Sequence, residues 1–450
     1  MGRIPLAAPA GRRYDPSKLT DARARAHATP ADAHSCRLPL RIIVVPSWFP
    51  SPRAPLAGIF FAEQTELLAK HAPDIEVHVF AVPKRNFDIP FKRPVAALGV
   101  LLRWWRAAKY AVRAVTPNYV VHTFETLVWS DRVAHGGLLH EARRMARVAR
   151  DIERERGAFD LVHAHVSHPA GFVAAELARI LGVPLVVSEH MSPFPFDDMR
   201  LADGRPFPDV LSPLESAARV TAVSRAHAAS IAQWVRRPIV VMPNFIDETR
   251  FAPADHAFVE PFRFLSVGHL VPQKGFDVLL RALALCRARG ERFHLTIVGK
   301  GYQESDLRAI ARELDVESSV TWLGAPERAS MPEIYRAADA FVLASRHESF
   351  GVVVIEALAS GLPVAATRCG GPEEIVTPEV GELAVPEDPV ALADAMSRLA
   401  GRSFDRSAIR GYFESTYASS AVVPRLVRLY REVLTASPRR ADSAPTAVRT

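Results

Sequence analysis

The hydrophobic pattern sets in at Arg41, where Ile42 to Val45 form a short β-branched run without alternation. Such a run fits a strand covered on both faces, as in a parallel sheet. A proline-rich loop follows, then apolar positions at helical spacing from Ile59 through Lys70 and a second strand pattern in Val77 to Val82. Together these open as a βαβ unit. Strand-like runs recur at Leu161 to His163, Leu185 to Ser188, Val220 to Val223 and Ile239 to Met242. The periodic segments Gly171 to Leu181 and Arg225 to Val235 are long enough to cross over a sheet. The pattern predicts one doubly wound domain over residues 38–245.

Between Pro243 and Pro261 the chain turns polar and proline-bearing, which reads as an interdomain connection over 246–261. A second series then runs Phe264 to Val267, Leu295 to Val298, Val320 to Leu323, Phe341 to Leu343 and Val364 to Ala366, with helical patterns between. It predicts a second domain over 262–405. The amphipathic segment Ala421 to Leu434 lies beyond it, and residues 406–436 are expected to return to the first domain. The fold class expected is α/β, with two Rossmann-like parallel-sheet domains facing across a cleft, because open parallel sheets bind ligands beyond the carboxyl ends of their strands.

The length of 450 residues fits three domains of about 150 residues or two large α/β domains, and with 49% of residues hydrophobic and 23% charged the composition excludes a disordered chain. Three cysteines, Cys36, Cys286 and Cys369, are too few and too scattered for a disulfide framework and favour a reduced, cytosolic setting. The amino terminus lacks a secretory pattern, and no stretch approaches 18 uncharged apolar residues. Residues 1–37 carry seven basic and three acidic side chains without a period. They read as a loose basic tail, with an organellar leader as the alternative. Residues 437–450 read as a second tail.

The strongest chemical signal follows the strand Phe341 to Leu343, in Ser345-Arg346-His347-Glu348-Ser349-Phe350-Gly351, then Val352 to Ile355 and Glu356. Two carboxylates eight positions apart flank a turn and a helix start. Gly351 allows close backbone approach to a ligand, and the N–H groups of Ser349, Phe350 and Val352 are placed to hold a diphosphate. Both glutamates can equally be ordinary solvated or ion-paired residues. This region resembles the E-x7-E segment of the retaining, nucleotide-sugar-dependent glycosyltransferases of family 4, which have the GT-B fold. Further matching segments are Gly58-Ile59-Phe60-Phe61-Ala62-Glu63-Gln64, Leu161-Val162-His163-Ala164-His165, Ser188-Glu189-His190, Pro243-Asn244-Phe245-Ile246-Asp247 and Gly268 to Gly275.

The resemblance implies a role for each matching position. Glu356 would accept from the donor's ribose hydroxyls, and Glu348 would position the transferred sugar. Lys274 would offset charge on the leaving diphosphate. His269 stands where many members have an arginine and cannot reproduce a guanidinium fork, so either it is protonated or backbone donors carry more of the load. Gly58 would lie near the diphosphate at a helix start, and His190 near the donor sugar and the acceptor. Gly299-Lys300-Gly301 follows a strand and could place Lys300 or backbone amides beside the nucleotide, with a plain turn as the alternative. Retention of configuration would proceed without a protein nucleophile, the departing phosphate receiving the acceptor proton. His163, His165, His168 and His190 invite a metal reading, but their spacing defines no site, and no obligatory metal is expected. No tightly bound cofactor is expected either; the nucleotide sugar, with UDP or GDP, is a substrate.

Residues 84–113 hold eight Lys or Arg and one acidic residue, so their net +7 equals the excess of the whole chain. With Leu101, Leu102, Trp104, Trp105 and Tyr110 this suits an anionic membrane surface; a solvated basic helix packing its tryptophans into the first domain is the plain alternative. No finger or recognition-helix pattern accompanies the charge, which argues against nucleic acid. The segment Pro46-Ser47-Trp48-Phe49-Pro50 resembles a branch associated with bacterial surface polysaccharides. The expected function is transfer of a hexosyl-type sugar to a glycan or polyprenyl-linked acceptor, in the cytoplasm or on the inner face of the cytoplasmic membrane. A noncatalytic nucleotide-sugar or glycan-binding scaffold is the alternative. A sugar-phosphate phosphorylase would need a pyridoxal phosphate lysine and a longer chain, neither of which is indicated.

Overall fold

A computed structural model describes residues 39–52, 54–83, 94–106, 110–127, 134–253 and 260–436. In chain order the first domain contains β1 (Leu40–Pro46), α1 (Ile59–His71), β2 (Ile75–Ala81), α2 (Pro94–Arg106), β3 (Tyr110–Thr116), β4 (Tyr119–Phe124), α3 (Leu138–Arg156) and β5 (Leu161–His165). It continues with α4 (Phe172–Leu181), β6 (Leu185–Glu189), α5 (Pro208–Ser216), β7 (Arg219–Ala222), α6 (Arg225–Ala232) and β8 (Ile239–Val241). The second contains β9 (Phe262–Val267), α7 (Phe276–Ala288), β10 (Phe293–Val298), α8 (Glu304–Glu313), β11 (Val320–Gly324), α9 (Met331–Arg336) and β12 (Ala340–Leu343). Then follow α10 (Val352–Ala359), β13 (Val364–Thr367), α11 (Pro372–Ile375), β14 (Gly381–Ala384), α12 (Pro389–Ala400), α13 (Arg406–Thr416) and α14 (Ser419–Ala436).

The first sheet has the order β3-β4-β2-β1-β5-β6-β7-β8 and the second β11-β10-β9-β12-β13-β14. Pairing is parallel throughout except between β3 and β4. Helices cover both faces of the central strands, which is why β1, β2 and β5 are buried along almost their whole length, with Glu76, His78, His163 and His165 as buried polar exceptions to their apolar character. The strand order reverses at β1/β5 in one sheet and at β9/β12 in the other, so a crevice opens beyond the carboxyl ends of each pair. These two facing doubly wound sheets form the GT-B arrangement.

Helix α14 packs its Leu426, Leu429, Tyr430 and Val433 into the core of the first sheet with Ile42, Val44 and Leu68. It is anchored there by a 2.7 Å hydrogen bond between the Tyr430 hydroxyl and His163 Nδ1.

The basic segment divides differently from its sequence reading. Residues 94–106 form α2, but the chain then turns into β3, an exposed antiparallel edge strand. The alternative of tryptophans packed into the first domain does not hold at Trp105, which is 74% exposed, whereas Trp104 is half-buried and Val100 buried. Residues 84–93 and 107–109 lie outside the described residues, as do the side chains of Arg103 and Arg106, so most of the segment's charge does too. Among the described residues, no helix is long and apolar enough to cross a membrane.

Candidate functional site

The second-domain half of the site is built by the loops after β9 and β12. Gly275 carries a left-handed φ of 64°, and a Cβ there would stand 2.0 Å from the Ala344 carbonyl oxygen, so a side chain would drive the two loops apart. Gln273 Nε2 donates to the His347 carbonyl at 3.0 Å, and the Arg346 amide donates to the Gln273 carbonyl at 2.8 Å. Arg346 also forks onto Asp277 at 3.0–3.1 Å. So locked, the loops bring Lys274 Nζ to 2.5 Å from Glu348 Oε1, which also accepts from Ser345 Oγ at 2.8 Å. Sequence reasoning singled out both charged groups, and the structure joins them directly.

Behind them, the 345–351 loop pairs with the glycine turn that follows β13. The amide of Glu348 donates to the Cys369 carbonyl at 2.9 Å, and the Gly371 amide returns a bond to the Glu348 carbonyl at 3.0 Å. Phe350 is buried against the ring of Tyr417. Gly351, with φ 102°, caps α10, whose first residue is the half-buried Val352. His269 and Lys300 are exposed, with their side chains outside this locked set.

Glu356 sits one turn further into α10 and is 1% exposed. Its Oε2 accepts from the Tyr335 hydroxyl at 2.8 Å, while Oε1 lies 3.0 Å from Arg328 Nη1. Burial, then the adjoining Glu356 charge, push the Tyr335 phenol far above its ordinary value and keep it a donor. Arg328 also forks onto Glu63 of α1 in the opposite domain. Burial alone would raise the Glu63 carboxyl, but Arg328 and Arg250 hold it below its ordinary value. Glu63 occurs in the matched Gly58 to Gln64 run; Arg328 and Tyr335 carry no signal in the sequence that points to this contact.

Beside Glu63, the first domain contributes neutral imidazoles. Gly58 starts α1 with φ 66°, and a Cβ there would lie 2.1 Å from the Trp48 carbonyl oxygen, so the loop after β1 is pressed onto the helix start. Phe61 of α1 packs on the rings of His165 and His190 at centroid distances of 5.2 and 5.1 Å. His165 Nδ1 and His190 Nε2 share a hydrogen bond at 3.1 Å. That leaves Nδ1 of His190, which has no partner among the described residues. Beneath them His163 Nε2 bonds Ser188 Oγ at 2.8 Å, and Ser188 bonds Thr221 at 2.6 Å. Burial lowers all three imidazoles, His165 to about 4, so they are neutral at pH 7. Glu189 fixes the turn after β6 by accepting from the amides of Ser167, His190 and Met191 at 2.7–2.9 Å.

This histidine group borders a cavity of about 30 Å³, which has room for a water or two and none for a sugar. Among the described residues no group of His, Cys, Asp or Glu is arranged to hold a metal ion. The two halves touch directly: Ser349 Oγ donates to the His190 carbonyl at 3.1 Å. Ser224 Oγ, which caps α6, donates to the Ser349 carbonyl at 2.7 Å. Near the connection Asp247 Oδ1 accepts from the amide and hydroxyl of Thr249, a local turn.

Two protein-family profiles match the chain, one described as Glycosyltransferase Family 4 over residues 97–250 and one as Glycosyl transferases group 1 over residues 248–408. A D-inositol 3-phosphate glycosyltransferase of Pseudarthrobacter chlorophenolicus is 33% identical over 260 residues, covering 52% of this chain and 60% of its own. One of Frankia alni is 30% identical over 309 residues, covering 62% of this chain and 76% of its own. The alignment thus spans under two thirds of the first relative and about three quarters of the second. Among solved structures, sucrose-phosphate synthase from Thermosynechococcus elongatus has a TM-score of 0.65 at 21% identity, covering 88% of this chain and 100% of that one. Anabaena HepE in complex with UDP has 0.62 at 20% identity, covering 87% and 100%. At such identities the likeness is one of fold.

Proposed function

The chain belongs to the glycosyltransferases described by the family 4 and group 1 profiles, and on that footing we propose that it moves a hexosyl-type sugar, with retention, from a nucleoside diphosphate donor to a glycan or lipid-linked acceptor. The observation that carries this reading is the contact between two unlike loop sets: charged pairs at the β9/β12 switch point meet neutral imidazoles beyond β5 and β6.

In this reading the donor diphosphate takes Lys274 from Glu348, because two phosphates offer that ammonium more charge than one carboxylate. Glu348, released, accepts from hydroxyls of the transferred sugar, and Glu356 accepts from the ribose. The amides of Ser349, Phe350 and Val352 at the start of α10 add fixed donors for the phosphates. His269 and Lys300, both exposed, close over the nucleotide from the rim. Gly58 lets the loop after β1 press onto the start of α1, where the diphosphate docks, and the free Nδ1 of His190 meets a sugar or acceptor hydroxyl. A neutral imidazole suits that task, since a cation there would compete with Lys274 for the phosphates. Departure of the diphosphate produces an oxocarbenium-like centre, and a phosphate oxygen receives the acceptor's proton on the same face.

The acceptor is proposed to arrive at a membrane surface. Supporting this, α2 exposes Val95, Leu98, Leu101, Leu102 and Trp105 on helical spacing, within the segment that carries the chain's excess positive charge. The test is a screen of UDP- and GDP-sugars with polyprenyl-linked acceptors, following nucleotide release and product anomeric configuration by NMR. Acceptor-dependent release with a retained anomeric centre is expected. Tight nucleotide-sugar binding without acceptor-dependent release would instead assign a noncatalytic binding protein.

A further inference from the structure

Arg328 stands where three elements meet: it follows β11, faces α10 and reaches α1 of the opposite domain. Its Nε and Nη2 donate to the two oxygens of Glu63 at 3.0 and 2.8 Å, and Arg250 Nη1 adds a third bond to Glu63 at 2.5 Å. The remaining nitrogen, Nη1, lies 3.0 Å from Glu356 Oε1. That contact is ionic without the alignment of a hydrogen bond, and among the described residues Oε1 has no hydrogen-bond partner. A carboxylate oxygen so buried, with its charge offset but its lone pairs unused, is costly unless a donor reaches it.

The shape of a guanidinium explains the arrangement. Its five N–H groups lie in one plane, the fork onto Glu63 through Nε and Nη2 fixes that plane, and Glu356 Oε1, though 3.0 Å from Nη1, lies off the N–H directions that it offers. Were α1 to move away, that fork would be free to rotate onto Glu356 and take up both lone-pair directions.

We propose that Arg328 is a positioning residue that couples closure of the two domains to readiness of the ribose carboxylate. Held by Glu63, it balances the charge of Glu356 and leaves Oε1 to accept from a donor hydroxyl; released, it occupies Glu356 itself. The coupling rests on the assignment of Glu356 to the ribose given above, and makes Glu63 a determinant of donor affinity without any contact to the donor.

The test uses calorimetric titration of the full chain with UDP, GDP and their 2′,3′-dideoxy counterparts, which lack the ribose hydroxyls. Wild type should bind whichever base it accepts about tenfold more tightly with the hydroxyls than without, roughly 1.4 kcal/mol. Glu63→Ala, and more mildly Glu63→Gln, should shrink that preference to about twofold while leaving the affinity for the dideoxy compound unchanged. Arg328→Lys should shrink it as well, and adding Glu63→Ala to it should do nothing more. Thermal melts check that each variant is folded. A Glu63→Ala protein that keeps the full hydroxyl preference overturns the coupling. If Glu356→Gln keeps it too, or if neither nucleotide binds wild type, the ribose assignment itself falls and the coupling with it.

Discussion

The two loop sets that meet at the seam solve the burial of polar groups in opposite ways. In the first domain the pair His165–His190 and the chain Tyr430–His163–Ser188–Thr221 are neutral, with hydrogen bonds of 2.6–3.1 Å. In the second domain Lys274 with Glu348, Arg346 with Asp277 and Arg328 with Glu356 are ion pairs at 2.5–3.1 Å. Neutral imidazoles recognise hydroxyls without attracting a phosphate, whereas paired charges can be re-partnered by an incoming diphosphate. On the proposed function, hydroxyls fall to the first half and the diphosphate to the second.

The largest effect should come from breaking the charged side. Lys274→Ala should lower transfer by about 10²–10³-fold, the range for loss of one donor to a developing anion, and should weaken nucleotide binding as well. Steady-state rates and nucleotide titration check both. On the neutral side, His190→Ala should lower kcat about 10²-fold with little change in nucleotide affinity, measured by the same two assays.

A pH series sharpens the contrast by stability instead of activity. Unfolded histidines titrate near 6.5, while burial lowers His165 and His227 to about 4 and His122 to about 3. Between those values the unfolded chain binds more protons than the native one, so stability falls as pH drops from about 6.5 towards 4. One such histidine accounts for about 2–3 kcal/mol across the window. Chemical denaturation at pH 7.5 and pH 5 should show the loss, and His165→Gln should reduce its slope. The smallest effect is expected for Tyr430→Phe, which removes one hydroxyl from His163 and should cost about 1 kcal/mol in the same denaturation assay.

How much of this was legible follows from what each element faces. Strands covered on both sides, such as β1, β6 and β12, are apolar runs that announce themselves. Strand β3 is exposed along its length at a sheet edge and mixes Arg113 with valines, so no periodicity marks it, and β14 has four residues beginning with Gly381. At the site, Lys274 and Glu348 were readable because each sits in a short motif next to its own strand. Arg328 was not: its partners Glu63 and Glu356 lie in different domains, and their meeting depends on how those domains dock. The pairing of His165 with His190 likewise depends on β5 and β6 being neighbours in the sheet.

The division of labour between the halves is tested most directly by titrating wild type, Lys274→Ala and His190→Ala with UDP and GDP under identical conditions. Lys274→Ala should lose most of the nucleotide affinity while His190→Ala keeps it. Equal losses in the two variants, or an unchanged affinity in Lys274→Ala, would contradict it.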